Sequence, residues 1–193
     1  QIRLLNNESH RGFVASVNLG MSQANSQDVV LLNSDTEVPA NWLDRLVGHA
    51  YSNDKVGSVT PFSNNATICS WPSIEGGELP NGVSLETIDK ACYAANCGRH
   101  IDLPTAVGFC MYIRRDCLEA VGPFDEAAFG KGYGEENDFC MRATALGWKH
   151  LLACDTFVYH AGETSFGKNS PHRAAAWEIL TRRHPDYPAT VAR

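Results

Sequence analysis

Three features of this 193-residue chain carry side chains able to do chemistry. The first is Asn33-Ser34-Asp35-Thr36-Glu37. Asp35 and Glu37 stand one residue apart, and two carboxylates so placed can hold a hard divalent cation through oxygen. The alternative is a turn in which Asp35 and Thr36 cap a helix beginning near Pro39, because acidic turns are common. The stretch alone gives both readings equal weight. The second feature is Glu135-Glu136-Asn137-Asp138. A carboxylate there can act as general base and take a proton from an incoming hydroxyl. Its alternative is that the acids only complement the dipole of a helix N-terminus. Two observations favour chemistry. Three acids stand where one would serve, and the preceding Gly130-Lys131-Gly132-Tyr133-Gly134 has backbone freedom that a cap does not require. The third feature is His160. A lone histidine at a strand end is more often structural, but the acids elsewhere could share a metal with it. Gly162, Ser165 and Gly167 follow and suit a mobile loop closing over a substrate.

These groups need elements to position them. Val29 to Leu32 is a short apolar run suited to a strand buried on both faces, and open α/β sheets bind ligands at the carboxyl ends of such strands. Before it, residues 2–5 read as a short strand. Phe13, Val14, Val17, Met21 and Ala24 recur at helical spacing over 12–24. Asn18 lies inside that helix and could reach solvent or a neighbouring loop. Pro39 suits the first turn of a helix to about Tyr51. Val56 to Thr60 reads as a strand, and 61–72 as an amide- and hydroxyl-rich loop that could bind a ligand or face solvent. Residues 73–103 are the least regular and read as an insertion, with a helix within 84–96. Val107 to Ile113 reads as a strand, Arg114 to Ala120 as a short helix, and Glu135 to Leu146 as a helix ended by Gly147. Trp148 to Ala153 and Phe157 to His160 read as two strands. Residues 171–193 form a terminal helix and tail.

Composition narrows the class. Length suits a single domain, 44% hydrophobic and 20% charged residues are ordinary for a globular protein, and the net charge of −6 argues against nonspecific affinity for nucleic acid. No apolar run approaches the ~18 residues of a membrane span. The seven cysteines lack a CxxC pair and mostly sit in apolar patterns. They read as free thiols of a reducing compartment, with a Cys92–Cys97 bridge as the rival. A metal-dependent phosphotransferase would normally show a Gly-rich phosphate cradle with Lys or Ser/Thr, and none is present in that form.

The order of the motifs resembles an inverting family 2 glycosyltransferase. The segments are Asn18-Leu19-Gly20, Val30-Leu31-Leu32-Asn33-Ser34-Asp35, Gly108-Phe109-Cys110 with Arg114-Arg115, Gly122-Pro123-Phe124-Asp125-Glu126, Gly134-Glu135-Glu136-Asn137-Asp138 with Arg142, Gly147-Trp148, and Val158-Tyr159-His160. The resemblance implies an α/β, Rossmann-like GT-A fold: a mostly parallel sheet flanked by helices. It implies a nucleotide-diphosphate sugar as donor, a glycan as acceptor, and Mg or Mn as cofactor. The family's DxD motif falls on Asn33-Ser34-Asp35, with Asn in place of the first acid. Asp35 is then the principal metal ligand, Glu37 an assisting one, and His160 completes the shell. Asn33 and Asn18 join Asp35 on the donor side. Glu136 matches the catalytic base, with Glu135 beside it and Asp138 as the runner-up. Family members open with two further βα units, so an open sheet edge inviting homodimerisation and weak donor binding by this polypeptide are expected. A cytoplasmic location, peripheral at the inner membrane face in a longer protein, goes with that setting. The competing reading is a non-catalytic carbohydrate- or partner-binding module that kept the fold.

Overall fold

β1 (Val29–Leu32) runs directly into the first candidate cluster, so the end of the sheet at which it stops decides where the chemistry lies. The computed structural model describes residues 2–130, 132–162 and 171–192. Ser165 and Gly167, named above for a closing loop, lie outside the described residues, as does Lys131. In chain order the elements are α1 (Phe13–Gln23), β1, β2 (Thr36–Glu37), α2 (Trp42–Ala50), β3 (Val56–Phe62), α3 (Leu85–Asn96), β4 (His100–Leu103) and β5 (Cys110–Ile113). There follow α4 (Arg115–Val121), α5 (Glu126–Phe129), α6 (Glu135–Ala145), β6 (Lys149–Phe157), β7 (Tyr159–His160), α7 (Pro171–Arg183) and α8 (Tyr187–Val191).

Five strands form one sheet in the order β1-β5-β3-β6-β4, and β2 with β7 forms a two-stranded ribbon. β1, β3 and β6 run the same way, while β5 and β4 run against them. The α/β architecture is the expected one, with most strands co-directed and helices on both faces. The carboxyl ends of β1, β3 and β6 therefore share one rim with the residues that enter β5. Such a rim is where open α/β sheets place ligands.

Two apolar cores sandwich the sheet. Strand β5 alternates between them: Met111 and Ile113 pack with Val14, Met21, Phe124, Phe139 and Ala143, and Cys110 and Tyr112 pack with Leu46, Val59, Leu151 and Val158. A smaller cluster of Leu85, Ile88 and Phe157 seats α3 on β6.

Several expectations needed correction. Residues 2–5 form no strand; Ile2 and Leu4 are 98% and 79% exposed, because no described strand lies beside them to satisfy their backbone. Strand β1 is covered on both faces only at Val29. It is the outermost strand, and Leu32 is 44% exposed. Its outer side opens on an apolar groove lined by Phe13, Val17, Met21 and Leu31. The helix after Pro39 starts three residues later, at Trp42, with Asn41 left-handed at its N-cap. Strand β3 continues through Pro61 to Phe62; a register shift falls between those two residues, the kind of irregularity at which a strand tolerates proline. The 73–103 stretch is more ordered than its composition suggests: α3, capped by Ser84 accepting the Thr87 N–H, leads into β4, which pairs along β6. β4 is an edge strand with mostly exposed residues, so it carries no alternating pattern to read. The strand expected at 148–153 extends to Phe157 as one element.

All seven cysteines are free, Cys92 and Cys97 included. Among the described residues no helix is long and apolar enough to cross a membrane.

Candidate active site

Asn33 follows β1 and is tied to the sheet through its N–H, which donates to the Phe109 carbonyl at 2.8 Å. The chain then turns, with the Thr36 hydroxyl donating to the Asn33 carbonyl at 2.7 Å. Thr36 enters the β2–β7 ribbon opposite His160, and Glu37 lies opposite Tyr159. This ribbon brings distant residues together: Nε2 of His160 comes within 3.4 Å of Asp35 Oδ2 and, 127 positions away in the chain, 3.3 Å of the Asn33 amide nitrogen. Asp35 Oδ2 also accepts the Gly162 N–H at 3.2 Å. The turn belongs to the site; the capping role does not, since no side chain caps α2.

His160 is held from three sides. Its Nδ1–H donates to the Asn65 carbonyl at 2.6 Å, which leaves the lone pair of neutral His160 on Nε2, facing Asp35. Phe109 stacks on the imidazole, with ring centroids 5.2 Å apart and planes 22° from parallel. Asn64 accepts the His160 N–H at 2.9 Å, while the side-chain amides of Asn64 and Asn65 both donate to the His160 carbonyl. The amide-rich loop after β3 thus fixes the histidine. The sequence signalled these amides as binding groups; their use on backbone atoms shows only in the fold.

The second cluster opens α6. Gly134 precedes it with φ of 88°, in the left-handed region, and Tyr133 takes φ of 70°. Glu135 is buried and Glu136 is partly exposed, and in each the Oε2 atom is buried without a partner among the described residues. Burial, and then the Glu136 carboxylate, pushes the Glu135 carboxyl up to about 9, so Glu135 is protonated at neutral pH. Burial also raises Glu136. Glu136, His160, Asn65 and Gly162 line one cleft of 1160 Å³.

The remaining candidates lie elsewhere. Asp138 is 1% exposed and accepts from Arg142 Nε at 2.8 Å and His184 Nε2 at 2.9 Å, with Arg183 at 3.4 Å. Burial alone would raise its carboxyl; the His184 and Arg142 hydrogen bonds and the two arginine charges hold it below the usual range. Asn18 is fully used by one backbone unit: its amide donates to the Phe124 carbonyl at 2.9 Å and its Oδ1 accepts the Phe124 N–H at 3.1 Å. Glu37 is an exposed residue of the ribbon. Of the candidates, Glu136 and His160 line the cleft; Asp138, Asn18 and Glu37 do not, and Asp35 and Asn33 reach it only through their contact with His160.

The donor set suits a hard divalent cation. A carboxylate oxygen and an imidazole lone pair converge, and the imidazole's other nitrogen is anchored by a carbonyl, as metal-ligating histidines require. Among the described residues no group of three or more His, Cys, Asp or Glu side chains converges. An ion here would complete its shell with substrate or water oxygens, as Mg commonly does.

Comparison with known proteins gives three findings. The family model described as Glycosyl transferase family 2 matches residues 1–122. Uncharacterized proteins of Mycobacterium bovis and Mycobacterium tuberculosis are each 26% identical over 190 residues. The alignment covers 95% of this chain but 66% of each relative, so the chain spans just under two thirds of their length. Among solved structures, the fold resembles GalNAc-T7 with UDP, GalNAc and Mn2+ (TM-score 0.62, 18% identity, 95% of this chain and 39% of that one). It also resembles the mannosyltransferase PcManGT from Pyrobaculum calidifontis in complex with GDP-Man and Mn2+ (TM-score 0.56, 15% identity, 98% and 54%). At these identities the likeness is one of fold, and it is the GT-A arrangement.

Proposed function

The chain belongs to glycosyl transferase family 2, and from that premise we propose that it transfers a sugar from a nucleotide-diphosphate donor to a glycan acceptor with inversion at the anomeric carbon. One observation carries the reading. Glu136, with an unpartnered buried carboxyl oxygen, lines the same cleft as His160, whose Nε2 lies 3.4 Å from Asp35.

Asp35 and His160 would hold Mg or Mn, with Asn33 beside them. When bound, the cation supplies positive charge that stabilises the departing nucleoside diphosphate. The Asn64 and Asn65 amides keep the imidazole aimed at Asp35. Ionised Glu136 removes the proton of the acceptor hydroxyl. The acceptor oxygen forms its bond to the anomeric carbon as the bond from that carbon to the diphosphate oxygen breaks, and the electron pair leaves with the diphosphate. Attack opposite the leaving group inverts the centre. Burial suits Glu136 to this task, because a raised carboxyl is a stronger base toward a hydroxyl than an ordinary one. Protonated Glu135 removes a second negative charge from beside the base.

Glu136→Gln in the native protein tests the assignment. Transfer should fall by about a hundredfold or more, the usual worth of a general base. Donor affinity, measured by calorimetry with Mn and a UDP- or GDP-sugar, should be unchanged. Normal turnover in this variant would refute the role of Glu136. Loss of transfer also excludes a purely non-catalytic module, since such a module has no turnover to lose.

A further inference from the structure

The cleft has a second wall that neither the Asp35–His160 pair nor Glu136 uses. It is built by α7 and α8. Arg173, Trp177 and Leu180 stand at helical i, i+4 and i+7 spacing, share one face of α7, and all line the cleft. Leu180 is buried, whereas Trp177 remains 49% exposed. A tryptophan carries the largest apolar surface of any side chain, and leaving half of it in water forgoes stability that burial would give. The ring is nonetheless held in place. Tyr187 meets it edge-on, with centroids 5.7 Å apart and planes 66° from parallel. The Tyr187 hydroxyl in turn donates to Asn137 Oδ1 at 2.7 Å. Asn137 is the residue after Glu136, so one ring contact and one hydrogen bond tie the orientation of Trp177 to the base.

A fixed, half-exposed indole face in a cleft offers a flat, electron-rich surface at little entropic cost. The matching ligand surface is the C–H face of a pyranose, whose ring hydrogens carry partial positive charge and whose hydroxyls point outward to other groups. We propose that Trp177 is the stacking platform for the acceptor sugar, and that Tyr187 and Asn137 are positioning residues that set the ring relative to Glu136. The acceptor is then a pyranoside, not a protein hydroxyl or a lipid phosphate. This inference rests on the glycosyl-transfer reading above for the reaction, but the platform makes its own prediction about binding.

Saturation-transfer NMR on the whole chain tests it, with the methyl pyranosides of glucose, galactose, mannose and rhamnose as probes. At least one should receive saturation at its ring C–H protons. Trp177→Ala should weaken that glycoside about tenfold, the worth of one aromatic contact. Trp177→Phe, which keeps a smaller face, should restore binding. The proposal is overturned if none of the four glycosides receives saturation, if Trp177→Ala binds normally, or if Trp177→Phe fails as badly as Trp177→Ala. The two ideas fail separately. Normal turnover in Glu136→Gln would remove the catalytic assignment and leave the platform standing. Normal glycoside binding by Trp177→Ala would do the reverse.

Discussion

Three acids at the start of α6 have three different environments. Glu135 is buried and neutral, Glu136 faces the cleft, and Asp138 points the other way into Arg142, Arg183 and His184. Helical geometry explains the division, since residues 136 and 138 lie on opposite sides of one turn. The two have correspondingly different predicted losses. Asp138→Asn removes a buried charge from charged partners and should lower stability by about 2 kcal/mol in urea denaturation. Glu136→Gln should keep or raise the unfolding midpoint, because it removes an ionisable group that burial disfavours, while turnover collapses. A catalytic Asp138 would show the opposite pattern, with activity lost at unchanged stability.

At the scale of elements, short pieces of irregular backbone join the sheet to the chemistry. The β2–β7 ribbon has two residue pairs, yet it brings Asp35 to His160. The Gly122-Pro123-Phe124 turn is held to α1 by Asn18 through both hydrogen-bonding ends of its amide. Asn18→Ala should therefore cost about 1–3 kcal/mol, because the Phe124 N–H and carbonyl lose their partner. Donor affinity of the folded protein, measured by calorimetry, should not change. A selective loss of donor affinity at unchanged stability would return Asn18 to the donor site.

The molecule as a whole carries two buried groups with opposite effects on stability against pH. His150 is a buried residue of β6, accepting from the Ser58 hydroxyl and donating to the Cys140 carbonyl, and burial lowers it from 6.5 to about 4. Between these values the unfolded chain binds a proton that the folded chain refuses, so stability is lost as pH falls from about 6.5 toward 4. Glu135 has the opposite sign. Its folded value of about 9 lies above the ordinary 4.5, so its contribution is complete below 4.5 and is lost as pH rises through 9. The two slopes oppose one another from 4.5 to 6.5, and above that the fall belongs to Glu135 together with Glu136, which burial raises in the same direction. Chemical denaturation between pH 6.5 and 9 should show stability falling in the wild type. Glu135→Gln should flatten that limb and add about 1–3 kcal/mol at pH 8. An unchanged alkaline limb would place Glu135 in water.

The residues with chemistry, their order and the helices with a clear apolar period were legible in the sequence, because they are set by local composition and spacing; the α/β class was implied by the resemblance of the motif order to family 2 glycosyltransferases. The strand at 29–32 and the helix at 13–23 fall in this group. The edge strand β4 was not legible, because an exposed strand has no buried face to impose alternation on its residues. Nor was the extension of β3 through Pro61 to Phe62, where a register shift tolerates the proline. The sequence by itself named the side chains that could form a site, Asn18, Asn33, Asp35, Glu37, Glu135, Glu136, Asp138 and His160, without deciding among them. Only the tertiary structure decided that β1, β3 and β6 end on one rim, that Asn64 and Asn65 hold His160, that Asp138 belongs to an ion-pair network, and that Trp177 stands in the cleft wall. The physical reason is range: helical period and turn chemistry act over a few residues, whereas the contacts of Asp138 with His184 and of His160 with Asn64 and Asn33 join positions 46, 96 and 127 apart and exist only once the sheet order is set.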